Sequence, residues 1–113
     1  MLFRSDGFRL EITGAFNRPP KESVPIEQAA LAAWQHCGRE LGLAPFTSVH
    51  TGGASDGNNL FAAGLPNLDG LGPIGDKLHS AEEFVVIPTL AERARLCARF
   101  LQKLAAGEIN LPR

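Results

Sequence analysis

The stretch TGGASDGNN, residues 51–59, gathers three glycines, a serine, an aspartate and two asparagines behind an apolar segment. Glycines let a backbone approach a ligand closely and adopt positive φ. Successive N–H groups in such a loop form a nest for phosphate or carboxylate. The loop lacks the lysine of a P-loop and does not match G-x-G-x-x-G, so nucleotide binding has little support. A plain turn between a strand and a helix would use the same residue types. A second glycine-rich run, LDGLGPIGDKLHS, carries His79 near its end, and Asp69, Asp76, His79, Glu82 and Glu83 fall within fifteen positions. His79 is a candidate metal ligand with a carboxylate behind it. A single histidine does not hold a catalytic zinc, which takes three protein ligands. His50 precedes the first loop and His36 falls on the polar side of a helical pattern; neither shows ligand spacing to His79. Spacing alone leaves an anion nest, a metal ligand and an ordinary turn all open.

The elements that must position these groups are legible in part. Phe8, Leu10 and Ile12 alternate with Arg9, Glu11 and Thr13, which predicts a half-buried strand ended by Gly14. NRPPKES follows as a linker, since two prolines forbid helix. Pro25 suits a first helical turn, with Glu27 near the positive end of the dipole. Ile26, Ala30, Ala33, Cys37 and Leu41 recur at helical spacing, and Gly42 supplies a stop, so a helix is expected over 25–41. Short strands are expected at 46–51, 67–72 and 83–88, and a short helix at 59–64. Thr89 and Glu92 read as a capping box for a last helix, 89–106, with Leu90, Ala94, Cys97, Leu101 and Leu104 on one face. Such α/β alternation, with glycine loops at strand ends, points to a piece of a parallel α/β layer, where loops of this kind hold ligands.

Composition narrows the function classes. The chain has 113 residues, 44% of them apolar, which suits one small domain with one core. Its 11 basic and 12 acidic side chains form no basic patch, so nucleic acid is a poor partner. No apolar run is long enough to span a membrane. Cys37 and Cys97 sit on apolar helical stripes and form no Cys-x-x-Cys pair, so both are expected as free, buried thiols.

The residues also resemble a family. Gly52-Gly53-Ala54-Ser55-Asp56-Gly57-Asn58 is similar to the Gly-Gly-x-Ser-Asp-x-Asn segment of the zinc-dependent aminoacylase and carboxypeptidase superfamily. Gly64, Pro66, Asp69, Gly70, Leu71 and Gly72 then resemble its Gly-x-Pro-x-x-Asp-Gly-Leu-Gly block. Gly75, His79, Ser80, Glu83 and Phe84 resemble its His-Ser-x-x-Glu-aromatic block, and a final amphipathic helix follows. Any one block is weak; their order and spacing, from about residue 8 to 107, carry the resemblance, and the wording leans to the glutamate carboxypeptidase branch. It implies a partial three-layer α/β/α zinc-peptidase catalytic domain over 18–113, preceded over 1–17 by the last strand of a lid domain. By the same resemblance His79 binds one of two zinc ions. The loop Gly52, Gly53, Ala54 and Ser55 receives the substrate's terminal carboxylate, and Arg18 reaches toward it from the end of the lid. Asp56, Asn58 and Asp69 shape the loop, and Glu83 stands behind the metal ligand or caps a helix. An arginine fork suits a carboxylate.

The family's other catalytic parts come from an N-terminal segment: a His-x-Asp motif, a bridging aspartate and a Glu-Glu pair. MLFRSDG, ahead of the first expected strand, has no histidine and no Glu-Glu pair. The chain is therefore expected to be a C-terminal fragment from a truncated reading frame, inactive alone, marginally stable or aggregation-prone with apolar helix faces partly exposed, and with no catalytic residue of its own. The parent would be a zinc metallohydrolase that cleaves an amide bond beside a free carboxylate, releasing a C-terminal acidic residue such as glutamate. Its substrates would be small peptides or N-acyl amino acids. It would dimerise through the lid and reside in the cytoplasm by preference, or in the periplasm. The alternatives are a deacylase of the acetylornithine or succinyl-diaminopimelate type, a non-catalytic carboxylate-binding or assembly module, and an α/β fragment with no ligand.

Overall fold

The computed structural model describes residues 2–5 and 7–112. Its elements are β1 (Leu2–Ser5), β2 (Phe8–Glu11), α1 (Pro25–Glu40), α2 (Asp56–Ala62), β3 (Gly75–Asp76), β4 (Phe84–Val85) and α3 (Pro88–Ala105). Both long helices open on the proline of their first turn, where a missing N–H is harmless. Gly42 and Gly107 follow their ends with positive φ.

The strands differ from expectation. The described residues form two separate antiparallel pairs, β1 with β2 and β3 with β4, and no parallel pair. Residues 46–51 and 67–72 are not strands. A strand exists only when a neighbour completes its ladder, and among the described residues none lies beside them. The carbonyl of Phe46 is instead taken by the Gln35 Nε2, at 2.9 Å. β2 is not half-buried: all four of its residues are exposed, and no element other than β1 packs on it. Among the described residues the fold is mixed α/β, with three helices and two antiparallel strand pairs.

Helix α1 packs on α3, and the core lies between them. Among the described residues Trp34, Cys37 and Leu96 are the buried apolar ones, with Leu43, Phe46, Leu68, Leu71 and Phe100 packed around them. The Trp34 and Phe100 rings meet edge to face at 5.4 Å. The Arg93 guanidinium stacks 4.8 Å above the Phe46 ring. At the far end of the pair Glu40 accepts from the Lys103 Nζ at 2.5 Å and the Arg99 Nε at 3.2 Å.

Helix α3 buries Thr89, Leu96 and Lys103 and exposes the stripe from Leu90 to Leu104. Two expectations about it need correction. Cys97 lies on that exposed stripe; Cys37 is buried, and both thiols are free. Thr89 does not cap through Glu92: its hydroxyl donates to the Val86 carbonyl at 2.6 Å and accepts from the Ile74 N–H at 2.9 Å. Pro88 opens this helix, so Thr89 already lies inside it.

The radius of gyration is 19.0 Å, where a compact chain of this length has about 13 Å. The chain is correspondingly elongated and thin, 63 × 38 × 17 Å.

Candidate functional site

A cavity opens on the described surface. Its walls are the linker from Phe16 to Ser23, the first turns of α1, the loop from Phe46 to Ala54, and residues Asn67 to Leu71. Its volume is about 970 Å³, large enough for a small peptide.

Two polar anchors hold the linker against the loops. Arg18 donates from Nη1 to the Ala54 carbonyl at 3.4 Å and pairs through Nη2 with Asp56 at 3.1 Å. Asn58 donates from Nδ2 to the Pro19 carbonyl at 2.9 Å. Deeper in, the buried Glu27 accepts from the Asn67 N–H at 2.9 Å and faces the Lys21 ammonium at 3.5 Å. Lys21 also donates to the Asn67 carbonyl and, at 2.9 Å, to its Oδ1. The Asn67 amide passes two further bonds to the Gly57 and Leu65 carbonyls, each at 3.0 Å. Sequence reasoning assigned Glu27 to the helix dipole alone and gave Lys21 and Asn67 no part. Forty positions separate 27 from 67, and no local pattern reports so distant a bond.

The Gly-Gly-x-Ser segment does two jobs. The Ser55 hydroxyl accepts from the Gly57 N–H at 3.0 Å, capping α2, and donates to the Asp69 carboxylate. The Asn58 Oδ1 accepts from the Ser55 N–H at 2.9 Å. Ser55 is thus engaged within the fold rather than open to a ligand. Gly57 is required by closeness: a Cβ there would meet Asn67 Oδ1 at 2.7 Å and Asp69 Oδ2 at 2.8 Å. Gly52 and Gly53 are different. Neither has positive φ, and a Cβ on Gly52 would meet nothing within 4 Å. The expected left-handed turn is absent there; what these glycines leave is open backbone. The N–H groups of Gly52, Gly53 and Ala54 donate to no other described residue, and Arg18 stands beside them.

Asp69 is the loop's charged hinge. The Ser55 hydroxyl holds its carboxyl below the ordinary value of 3.8; the Gly70 N–H and Lys21 add to this, and partial burial opposes it. At the far end of the molecule Lys103, with Arg99, holds Glu40 below its ordinary 4.5. A lowered folded-state pKa means the unfolded chain binds more protons in that window. Both groups therefore contribute stability that is complete above pH about 5 and is lost as pH falls through the ordinary values and below. Thermal melts should show a flat midpoint from pH 6 to 8 and a falling one below 4.5. Asp69→Asn and Glu40→Gln should each flatten that acid limb. An unchanged acid limb in both variants would show that neither carboxylate matters.

His79 does not reach this cavity. It sits on the exposed turn between β3 and β4 with φ 65°, and its backbone N–H donates to Glu83 Oε2 at 3.2 Å. Among the described residues no group of three or more His, Cys, Asp or Glu side chains is placed to hold a metal ion. The cavity brings together Arg18, Gly52, Gly53, Ala54, Asn58 and Asp69, and leaves His79 and Glu83 outside its walls. None of the described helices is long and apolar enough to cross a membrane. No protein-family model, curated protein or solved structure matches the chain.

Proposed function

We propose that this chain carries the carboxylate-recognition part of an amide-hydrolysing zinc enzyme of carboxypeptidase type, and binds rather than cleaves when alone. The observation that carries this reading is the meeting of Arg18 with three consecutive unengaged N–H groups at Gly52, Gly53 and Ala54. A carboxylate seated there would accept from the guanidinium fork and from the backbone, the donor set that favours an oxyanion. Asp56, whose side chain is 90% exposed, already supplies one carboxylate to Arg18 and would swing into water as a ligand enters. The substrate class is a small peptide or an N-acyl amino acid ending in an acidic residue. His79 would serve zinc only beside ligands that this chain does not carry.

N-acetyl-L-glutamate titrated into ¹⁵N-labelled protein tests the reading. The expected response is a saturable shift of the 52–54 amides. Arg18→Ala should weaken binding about ten- to hundredfold, the loss of a charge-assisted pair, and Asp56→Asn should strengthen it by removing the internal competitor. The corresponding diamide should give no response. Equal shifts with acid and diamide, or indifference to Arg18→Ala, would end the proposal. Zinc added to the purified chain should produce no hydrolysis; turnover would refute the binding-only part.

A second reading, a carboxylate-binding assembly module, is favoured by the expanded shape and the exposed leucines of α3. It shares the pocket and differs only in lacking an enzymatic parent.

A further inference from the structure

Three lysine or arginine side chains line the cavity, and two of them are already paired. Arg18 meets Asp56, and Lys21 meets Glu27. Arg93, on the second turn of α3, has no carboxylate partner among the described residues. What it touches is the Phe46 ring, whose centre lies 4.8 Å from the guanidinium carbon. A guanidinium over a ring is held through its face, and the N–H fork at its edge stays free. None of those N–H groups donates to a described residue.

The ring beneath it is itself fixed. The Phe46 carbonyl accepts from Gln35 Nε2 at 2.9 Å, and the side chain packs against the core. Helix α1 carries a glycine where the ring comes closest: a Cβ at Gly38 would meet the ring's Cε1 at 3.0 Å. Arg93 is half-buried beside this ring. A cation is therefore held in one place on a pocket wall, with no counter-ion to displace and little side-chain freedom to lose. Those are the conditions under which an incoming anion gains most. The other ionisable groups of the wall are otherwise disposed. Glu27 and Asp69 are engaged within the fold. Glu22 and His50 are exposed to water, where a charge contact contributes little.

We propose that Arg93 takes a second carboxylate of the ligand, on the side chain of its last residue, while Arg18 and the 52–54 N–H groups take the first. This role rests on the carboxylate site proposed above and adds to it the group that selects an acidic residue. The ligand class is a dicarboxylate: an N-acyl amino acid or short peptide that ends in aspartate, glutamate or a longer homologue.

Acid and amide pairs titrated into the ¹⁵N-labelled full chain test it: N-acetyl-L-glutamate against N-acetyl-L-glutamine, and N-acetyl-L-aspartate against N-acetyl-L-asparagine. The amides keep the α-carboxylate, so their shifts at 52–54 report the first site alone. At least one acid should bind about tenfold more tightly than its amide, the gain of a charge-assisted pair. That acid should also move the Arg93 Nε–H resonance, which the amide leaves in place. Arg93→Ala should bring acid and amide to equal affinity. Arg93→Lys, which keeps the charge and loses the fork, should retain part of the preference. Arg95→Ala, at an exposed position outside the cavity wall, should retain all of it. Circular dichroism checks the fold of each variant; should Arg93→Ala lose helix content, the wild-type Nε–H response decides. Equal affinities within both pairs, an unmoved Nε–H resonance, or a preference that survives Arg93→Ala would overturn the role of Arg93 and leave the first site standing. Silence at 52–54 with all four ligands would end the first site, and the second falls with it.

Discussion

Trp34→Ala should abolish cooperative folding at room temperature. Among the described residues Trp34, Cys37 and Leu96 are the buried apolar ones, and the indole is the largest of them. Removing a buried tryptophan side chain costs about 3–5 kcal/mol in a core that cannot collapse around the gap. A core this thin supplies stability of the same order, about 3–5 kcal/mol. Loss of the indole also strips the edge-to-face contact with Phe100 that joins α1 to α3. Circular dichroism at 222 nm through a thermal ramp is the measurement: a broad, non-cooperative slope is expected in place of a transition. Leu60→Ala, at a side chain 45% exposed on α2, should leave the transition in place. If Trp34→Ala melts within a few degrees of the wild type, the core lies elsewhere.

Glu27→Ala should have the next largest effect, and it bears directly on the pocket. The carboxylate is buried, 7% exposed, with the Asn67 N–H and the Lys21 ammonium as its partners. Deleting it leaves a buried donor and a largely buried cation without their acceptor. Breaking such a pair from one side costs about 3 kcal/mol, near the lower end of the range because Lys21 keeps its bonds to Asn67. The linker that carries Arg18 would then detach from the 67–69 loop, so carboxylate binding at 52–54 should fall with stability. Glu27→Gln keeps an acceptor for Asn67 and should cost less than half as much. Glu11→Ala removes an exposed pair with Arg9 and should cost under about 1 kcal/mol. Urea midpoints of the three variants give the ranking. Equal losses for Glu27→Ala and Glu11→Ala would mean that the buried network contributes nothing.

Much of the local structure was legible. Proline at a helix start and glycine just past its end are short-range signals. They placed α1 within one residue and α3 within one residue at each end. The short helix expected over 59–64 lies at Asp56–Ala62 instead: Ser55 and Asn58 cap it, a local signal that the reading of this segment as a loop passed over. Arg18 and the loop were paired in advance only through a family resemblance; no spacing rule joins position 18 to position 54.

The rest needed the tertiary structure. Residues 46–51 have the side chains of a strand, but a strand's hydrogen bonds belong to its neighbour, and none of the described segments takes that place. Helical periodicity marked α3 as amphipathic, with Leu90 to Leu104 along one face. The residues the fold buries are Thr89, Leu96 and Lys103. Periodicity reports that a face is apolar; only the packed neighbour decides whether it is covered. The same holds for Glu27, whose burial became favourable once the chain returned with Lys21 on one side and Asn67 on the other. Sequence by itself determined where the two long helices begin and end and which backbone stays bare, since those follow from bonds within a few residues. Which faces close, and which distant polar groups meet, was settled by contacts between segments far apart in the chain, where local pattern carries no information.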